Sequence, residues 1–395
     1  MVYETAEDSE LLGKFVKKYA AGSVLDMGTG SGYLAAVSGT KKAVKSVVGV
    51  DVDPSAIEIC KKTLKDKKYR FVLSDLFKDV KGVFDTIVFN PPYLPDDPKE
   101  HDIALHGGKH GYETIVRFLN TAGDHLTSQG KILLLYSSLS KEDKVMQALE
   151  RNLFEHKQVA KTHLFFEDLF VIVITKNEVR RALEKKGVKS FAYLDEGQRG
   201  IILTGTYKNK KVAIKIKQKG SDAIDRMKNE AKWLAHLRGT GMCPQLLFSG
   251  PNYLCYEFID GEFLPSFLTH GSGKDCLEVL RIVLGYCRKL DELNLIKEEF
   301  TRPLKHVFIR RVPDKMGLQK ESELSVTMID FERMKFSLRP NNVTQFCQYL
   351  NMLGKNNVLK GRVEISSDIL SRAKDYKSQM TASSFEGIEA CLKRH

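Results

Sequence analysis

Short apolar runs recur through the first 178 positions, each closing on Asp, Asn or Ser: 23–26, 46–51, 71–75, 84–90 and 131–137. Runs this short, without polar alternation, read as strands buried on both faces of a parallel sheet. Helical stretches such as Ser55–Leu64 and Tyr112–Leu126 stand between them. This alternation predicts a doubly wound, Rossmann-like α/β sheet. Two further runs, Gln158–Leu164 and Leu169–Thr175, follow each other closely enough to finish it as an antiparallel pair.

The pattern then changes. Asn177–Lys189 is charged, helical and short of large apolar residues, so 179–189 reads as a linker between domains 1–178 and 190–395. Beyond it, strand-like runs crowd together at Gly200–Thr206, Lys211–Lys217, Gln245–Phe248 and Tyr253–Phe258, interrupted by a helix over about Asp222–Leu237. From Lys274 the chain is mainly helical, with one apolar strand ending at Ile329-Asp330-Phe331. Strands first and helices later predict an α+β unit of two lobes.

Composition narrows the classes. With 395 residues, 42% hydrophobic and 28% charged, the chain is long enough for two or three globular cores. No apolar run approaches the roughly 20 residues that span a bilayer, and the acidic start Met1-Val2-Tyr3-Glu4 lacks the apolar stretch of a signal peptide, so the expected location is cytoplasmic and no membrane partner is expected. The seven cysteines form no CxxC pair, which argues against a zinc site. A net charge of +12 suits work near the ribosome or RNA, and equally suits a merely soluble, lysine-rich surface.

The strand ends of the first domain carry the chemistry. Asp26-Met27-Gly28-Thr29-Gly30-Ser31-Gly32 follows a strand, and its alternating glycines let the backbone turn sharply and approach a ligand. The spacing is tighter than the dinucleotide fingerprint and fits S-adenosylmethionine better than NAD. Asp51 ends the second strand, where a carboxylate can accept both ribose hydroxyls. Asp75 ends the third, where it and the Leu76 backbone can hold an adenine edge. Single acids at strand ends are often only helix caps, as Asp53 before Pro54 suggests. The fourth strand ends at Asn90-Pro91-Pro92-Tyr93. The prolines stiffen the loop, leaving the Asn90 amide and the Pro91 carbonyl to accept hydrogen bonds from a planar NH₂, with Tyr93 stacking on it.

Three segments together carry a resemblance. Tyr3 to Leu12, Asn90 to Tyr93 and Asp102 to Glu113 look like the opening, catalytic and glycine-rich segments of the HemK-related glutamine methyltransferases of archaea and eukaryotes. Thr5 departs from the proline usual there. The resemblance implies a methyltransferase acting on the Gly-Gly-Gln loop of a translation release factor, aided by a small zinc-ribbon activator subunit. It also implies cofactor contacts at Ser9, Asp26, Gly28, Gly30, Gly32, Asp51, Asp75, Leu76 and Asn90. The Asn-Pro-Pro-aromatic loop by itself leaves adenine N6, cytosine N4 and lysine open as acceptors.

The second domain resembles the archaeal atypical kinases related to the RIO and Kae1-associated families. Val212-Ala213-Ile214-Lys215 puts a lysine on a strand, Glu230 follows on a helix, and Ile329-Asp330-Phe331-Glu332 resembles the metal-binding Asp-Phe-Gly element. The resemblance implies ATP and Mg²⁺, with Lys215 and Glu230 at the nucleotide, Glu299 as the catalytic carboxylate and Asp330 on the metal. Lys297-Glu298 stands where a His-Gly pair is usual, Glu299 where Asp is usual and Glu332 where Gly is usual. These departures leave a pseudokinase or a scaffold as alternatives.

Overall fold

A computed structural model describes residues 7–96, 106–164, 167–197, 200–217, 224–312 and 323–395. The expected segment Tyr3–Ala6, including Thr5, lies outside the described residues, as do Asp102–Leu105. The chain divides into two compact units, Met1–Leu194 with Gly205–Lys210, and Asp195–Thr204 with Lys211–His395.

The first unit opens with α1 (Glu7–Tyr19). It then alternates β1 (Gly22–Met27), α2 (Tyr33–Gly39), β2 (Val44–Asp51), α3 (Pro54–Thr63), β3 (Tyr69–Leu73), β4 (Phe84–Phe89), α4 (Glu113–Ala122), β5 (Leu126–Ser137) and α5 (Glu142–Arg151). The long hairpin β6 (Phe154–Leu164) and β7 (Glu167–Lys176) closes a seven-stranded sheet in the order β3-β2-β1-β4-β5-β7-β6. Strands β1 to β5 pair in parallel, and β7 runs antiparallel to both β5 and β6. The architecture is the Rossmann-like sheet that the sequence predicts. Both faces are buried: Leu12, Val24, Leu34 and Val47 lie on one side and Ile87, Phe118, Leu134 and Val145 on the other.

Helix α6 (Glu178–Lys185) occupies most of the segment read as a linker. It is part of the first unit, and the division between units falls beyond it, after Leu194. What docks it is a cation. Arg180, 2% exposed, donates to the Asn152 carbonyl (2.8 Å), Asp124 (3.0 Å) and Glu184 (2.9 Å). Its guanidinium also lies against the Phe154 and Phe191 rings. Apolar counting undervalues a helix held in this way.

Beyond α6 come β8 (Lys189–Gly197), β9 (Gly200–Tyr207), β10 (Lys210–Lys217), α7 (Ile224–His236), β11 (Leu246–Gly250) and β12 (Tyr253–Glu257). These strands form a five-stranded sheet, β11-β12-β10-β9-β8. The rest of the second unit contains β13 (Glu262–Phe263), α8 (Leu264–His270), α9 (Gly273–Glu292), β14 (Leu295–Ile296), β15 (Val307–Val312), β16 (Glu323–Met328), β17 (Lys335–Phe336) and α10 (Asn342–Lys355). Strands β13, β15 and β16 form a small sheet, so the strand expected to end at Phe331 stops at Met328 and leaves Asp330 in the loop after it. Helices α11 (Ile369–Gln379) and α12 (Ala382–Glu389) follow, flanked by the paired strands β18 (Val363–Ile365) and β19 (Leu392–Arg394). Among the described residues, no helix is long and apolar enough to cross a membrane.

Candidate active site

The carboxyl ends of β1 to β4 converge on a cavity of about 730 Å³, within the range of small-molecule sites. Of the residues expected at a cofactor, Ser9, Gly28, Gly30, Asp51, Asp75, Leu76 and Asn90 line it. Pro91, Pro92 and Tyr93 complete its far wall.

Each position has a local cause. Gly28, at φ 65°, and Gly30, at φ 51°, take the left-handed conformation that a side chain resists, turning the chain across the end of β1. Asp51 fixes that turn. Its Oδ2 accepts from the Gly30 N–H at 2.8 Å and its Oδ1 from the Asp53 N–H at 2.9 Å. Each carboxylate oxygen keeps a second lone pair, enough for two ribose hydroxyls. Asp53 itself caps α3, accepting from the Ser55 N–H at 2.8 Å. Asp75 shares its carboxylate with Arg117, whose Nη2 lies 2.6 Å away; no feature of the sequence marks this partner. Leu76 holds φ 49°, its carbonyl tied to the Ser74 hydroxyl at 3.0 Å.

Two expected cofactor residues lie elsewhere. Gly32 does not line the cavity: it starts α2 at φ 82°, and a Cβ there would sit 2.9 Å from the Cys60 sulfur. Its small size serves helix packing. Asp26 is fully buried beneath the turn, accepting from the Thr29 hydroxyl at 2.7 Å, with its Oδ1 unpartnered. Burial raises its pKa to about 7, opposed by the Thr29 hydrogen bond and helped by the charge of Asp51. It braces the loop from below.

The Asn90 amide is held at one end only. Its Nδ2 donates to Asp8 Oδ2 at 3.2 Å and to Ser9 Oγ at 3.1 Å, while its buried Oδ1 has no hydrogen-bond partner. A carboxylate only accepts, so Asp8 forces the NH₂ end toward itself and leaves the carbonyl as an open acceptor. Asp8, 4% exposed, lines the cavity too, and the sequence gives it no role beyond its acidic neighbourhood. Burial pushes the Tyr93 hydroxyl well above its usual range, and the charges of Asp8 and Glu167 add to this. The glycine-rich segment supports the loop by close approach. A Cβ on Gly107 would meet the Pro92 carbonyl at 2.4 Å, and one on Gly111 the Tyr93 carbonyl at 2.3 Å.

Residues 6–166 match the family described as Methyltransferase small domain. Over 178 residues the chain is 38% identical to a putative protein N5-glutamine methyltransferase of Methanocaldococcus jannaschii, covering 43% of this chain and 90% of that relative. The first half of the chain belongs to the HemK-type protein N5-glutamine methyltransferase family. It is a methyltransferase domain that uses S-adenosylmethionine. A release factor glutamine methyltransferase of Streptococcus pneumoniae is 31% identical over 124 residues, 28% of this chain and 44% of that protein. Against such bacterial relatives the chain spans about half their length. A solved E. cuniculi Mtq2–Trm112 complex, responsible for methylation of the eRF1 termination factor, is 26% identical, covering 44% of this chain and 98% of that one at a TM-score of 0.37. The family match ends at residue 166 and bears on the first unit alone.

The second unit gathers its own charged cluster. Lys215 Nζ lies 2.7 Å from Glu230, 3.5 Å from Asp330 and 3.6 Å from Glu332. Burial alone would lower the Lys215 pKa, but the Glu230 and Asp330 carboxylates hold it well above its usual range. Asp330 sits at φ 62°, and its buried Oδ1 takes no hydrogen bond. Lys297, 1% exposed, ion-pairs with Glu299 at 3.1 Å and donates to the Asp330 carbonyl. The carboxylates of Glu230, Asp330 and Glu332 come within 4.8 Å of one another, a set able to hold a divalent cation, and the Lys215 ammonium stands among them.

Proposed function

We propose that the first unit methylates the side-chain amide nitrogen of a glutamine in the Gly-Gly-Gln loop of a translation release factor. The observation that carries this reading is the open Asn90 Oδ1, a buried acceptor at the edge of the cofactor cavity with its NH₂ end anchored. Bound S-adenosylmethionine supplies an electrophilic methyl group. An amide nitrogen is a weak nucleophile because its lone pair is delocalised. Asn90 Oδ1 and the Pro91 carbonyl accept hydrogen bonds from the substrate NH₂, raise its electron density and fix its direction. The diproline corner keeps those acceptors from moving, and the Tyr93 ring lies on the flat amide. The catalytic contribution is orientation plus fixed electrostatics in a site that excludes water.

A cytoplasmic enzyme of this kind works with the release factor as protein substrate and a small zinc-ribbon activator subunit. The sheet offers that subunit a free edge at β3, where Leu73 is half-exposed. The second unit, in the same reading, is a kinase-like domain that binds ATP with Mg²⁺: Lys215 and Glu230 face the nucleotide, Asp330 takes the metal and Glu299 stands at the phosphoryl acceptor. Glu332 and Lys297 make it a poorer catalyst than a binding site, because they already occupy the charges a metal-bound nucleotide would use.

The test is mass spectrometry of recombinant release factor after incubation with the full chain and labelled S-adenosylmethionine. Label on the glutamine of the Gly-Gly-Gln loop is expected. Label confined to lysine, or to adenine in nucleic acid, sinks the substrate assignment.

A further inference from the structure

The positive charge of this chain is concentrated. Three short windows, residues 14–18, 41–45 and 61–68, hold eleven lysines and a single acid, Asp66. Their net charge is +10.

The fold brings these windows together. They cover the last turns of α1 and α3 and the connections from α2 to β2 and from α3 to β3. Leu12 and Val16 of α1, Leu34 and Val37 of α2 and Leu64 after α3 pack into one cluster on the same face of the sheet. One hydrogen bond joins two windows directly, Lys41 Nζ donating to the Lys18 carbonyl at 3.2 Å, and Lys68 Nζ ties the third to the end of α2 through the Gly39 carbonyl at 2.6 Å. Lysines at helix C-termini offset the helix dipole, and these two do so. The other nine are exposed, and among the described residues the ion pairs of the protein lie elsewhere. So many unpaired like charges repel, and a polyanion relieves that repulsion.

The chemistry selects among polyanions. An amphipathic membrane anchor buries apolar side chains beside its lysines, and none of the exposed large apolar residues falls in the three windows. Instead, half-buried tyrosines interleave with the charge. Tyr19 lies beneath Lys18 (5.3 Å) and Lys131 (5.8 Å), and Tyr69 beneath Lys68 (5.3 Å). We propose that this pole docks on the phosphate backbone of a structured RNA, through charge and without reading its sequence. The cavity opens at the carboxyl ends of the strands, so the length of β1, roughly 20 Å, separates it from this pole. The docked RNA is therefore a platform rather than a methyl acceptor, and the inference does not depend on the glutamine reading.

The experiment is fluorescence anisotropy of the full chain with a labelled RNA duplex across a range of NaCl concentrations. For wild type, log Kd should rise with log salt with a slope of about 4 to 6, and replacing Lys42, Lys45, Lys65 and Lys67 by Gln should lower that slope by about 3. The same variant should bind RNA at least 10-fold more weakly at 100 mM salt, about 1.4 kcal/mol or more, with calorimetric S-adenosylmethionine affinity and Tm unchanged. Replacing the exposed Lys355, Lys360, Lys374 and Lys377 by Gln, a matched loss of charge, should leave the affinity within twofold. A wild-type slope below about 2, or equal weakening by both sets, overturns the proposal. So does binding to phosphatidylserine vesicles, through the same four lysines, by a chain that does not bind RNA.

Discussion

The Asp8 carboxylate lies 3.2 Å from the Asn90 amide nitrogen, across 82 positions of sequence, and decides which end of that amide faces the cavity. Asp8→Asn preserves the shape but offers an NH₂ of its own, so the Asn90 amide can turn over and present a donor where an acceptor is required. The expected outcome is a kcat lower by about 10²-fold, as for comparable misplacements of reacting groups, with the Kd for S-adenosylmethionine and the Tm unchanged. Steady-state methyl incorporation and calorimetry measure both. Ser9→Ala, which removes the weaker partner, should cost less than Asp8→Asn. A kcat for Asp8→Asn equal to wild type would remove Asp8 from the site.

Asp51 should govern cofactor affinity rather than turnover. Its two oxygens hold the Gly30 and Asp53 N–H groups, and Asp51→Ala strands both while deleting the proposed ribose acceptor. Charged hydrogen bonds are worth about 1.5–3 kcal/mol each, so the calorimetric Kd should rise by roughly 10- to 150-fold. At saturating cofactor most of the kcat should return. A variant whose kcat falls while its Kd stays put would assign Asp51 to the chemistry instead.

Asp26 should make the first unit less stable as pH rises. Its pKa is about 7 in the folded chain against 3.8 for the free side chain, so between those values the folded state holds more protons than the unfolded one. The sign is that of a raised acid. Stability contributed by the protonated form is complete below about pH 4, declines toward pH 7 and levels off above it, by an amount of order 1–4 kcal/mol. Asp26→Asn keeps an acceptor for the Thr29 hydroxyl and cannot ionise. The Tm of the variant relative to wild type should therefore grow between pH 5 and pH 8. A difference that stays constant across that range would show that Asp26 does not titrate there.

The sequence makes legible whatever is local. Strand ends such as Asp51 and Asn90 follow from short apolar runs meeting turn formers, and Gly28 and Gly30 from the sharp turn after β1. Long-range packing explains the rest. Gly32 looks like a third cofactor glycine because its spacing fits, yet the Cys60 sulfur across the crossover is what requires it. Helix α6 reads as a linker because its anchor is Arg180, a charged residue whose burial depends on Asp124, Asn152 and Phe154. Strand β8 carries the short apolar run Phe191–Leu194, but only Phe191 of it is buried, so no core-facing alternation announces it. Asp8 and Arg117 gain their roles only when distant strand ends converge.

Arg180 gives a direct measure of that hidden anchor. Arg180→Ala leaves Asp124, Glu184 and the Asn152 carbonyl without their shared donor and opens the space between Phe154 and Phe191. Breaking a buried ion pair by removing one partner costs up to about 3–5 kcal/mol, less here because Asp124 is partly exposed and Lys176 still holds Glu184 at 2.8 Å; Arg180→Lys should recover little because a point charge cannot fork to three acceptors. Denaturant unfolding should show this loss in the first unit. An effect below about 1 kcal/mol, the worth of an ordinary surface pair, would return α6 to the status of a loose connector.

In the second unit, Lys215 already does the work of a cation. Its ammonium stands among Glu230, Asp330 and Glu332, the carboxylates able to ligate a metal. Lys215→Met removes that charge and leaves three acids within 4.8 Å, so the variant should unfold more easily in chelator. Removing one member of a buried pair costs about 3–5 kcal/mol. Burial raises the Glu230 pKa against the pull of Lys215, so lowering the pH should soften the loss by letting Glu230 protonate. Adding Glu230→Gln to Lys215→Met should restore part of the stability by removing the stranded charge. Because oxygen ligands then face one another without a resident ammonium, Ca²⁺ or Mg²⁺ should raise the Tm of Lys215→Met more than that of wild type. Equal shifts in the two proteins would mean that metal, if it binds, binds elsewhere, and that the lysine is not a stand-in for it.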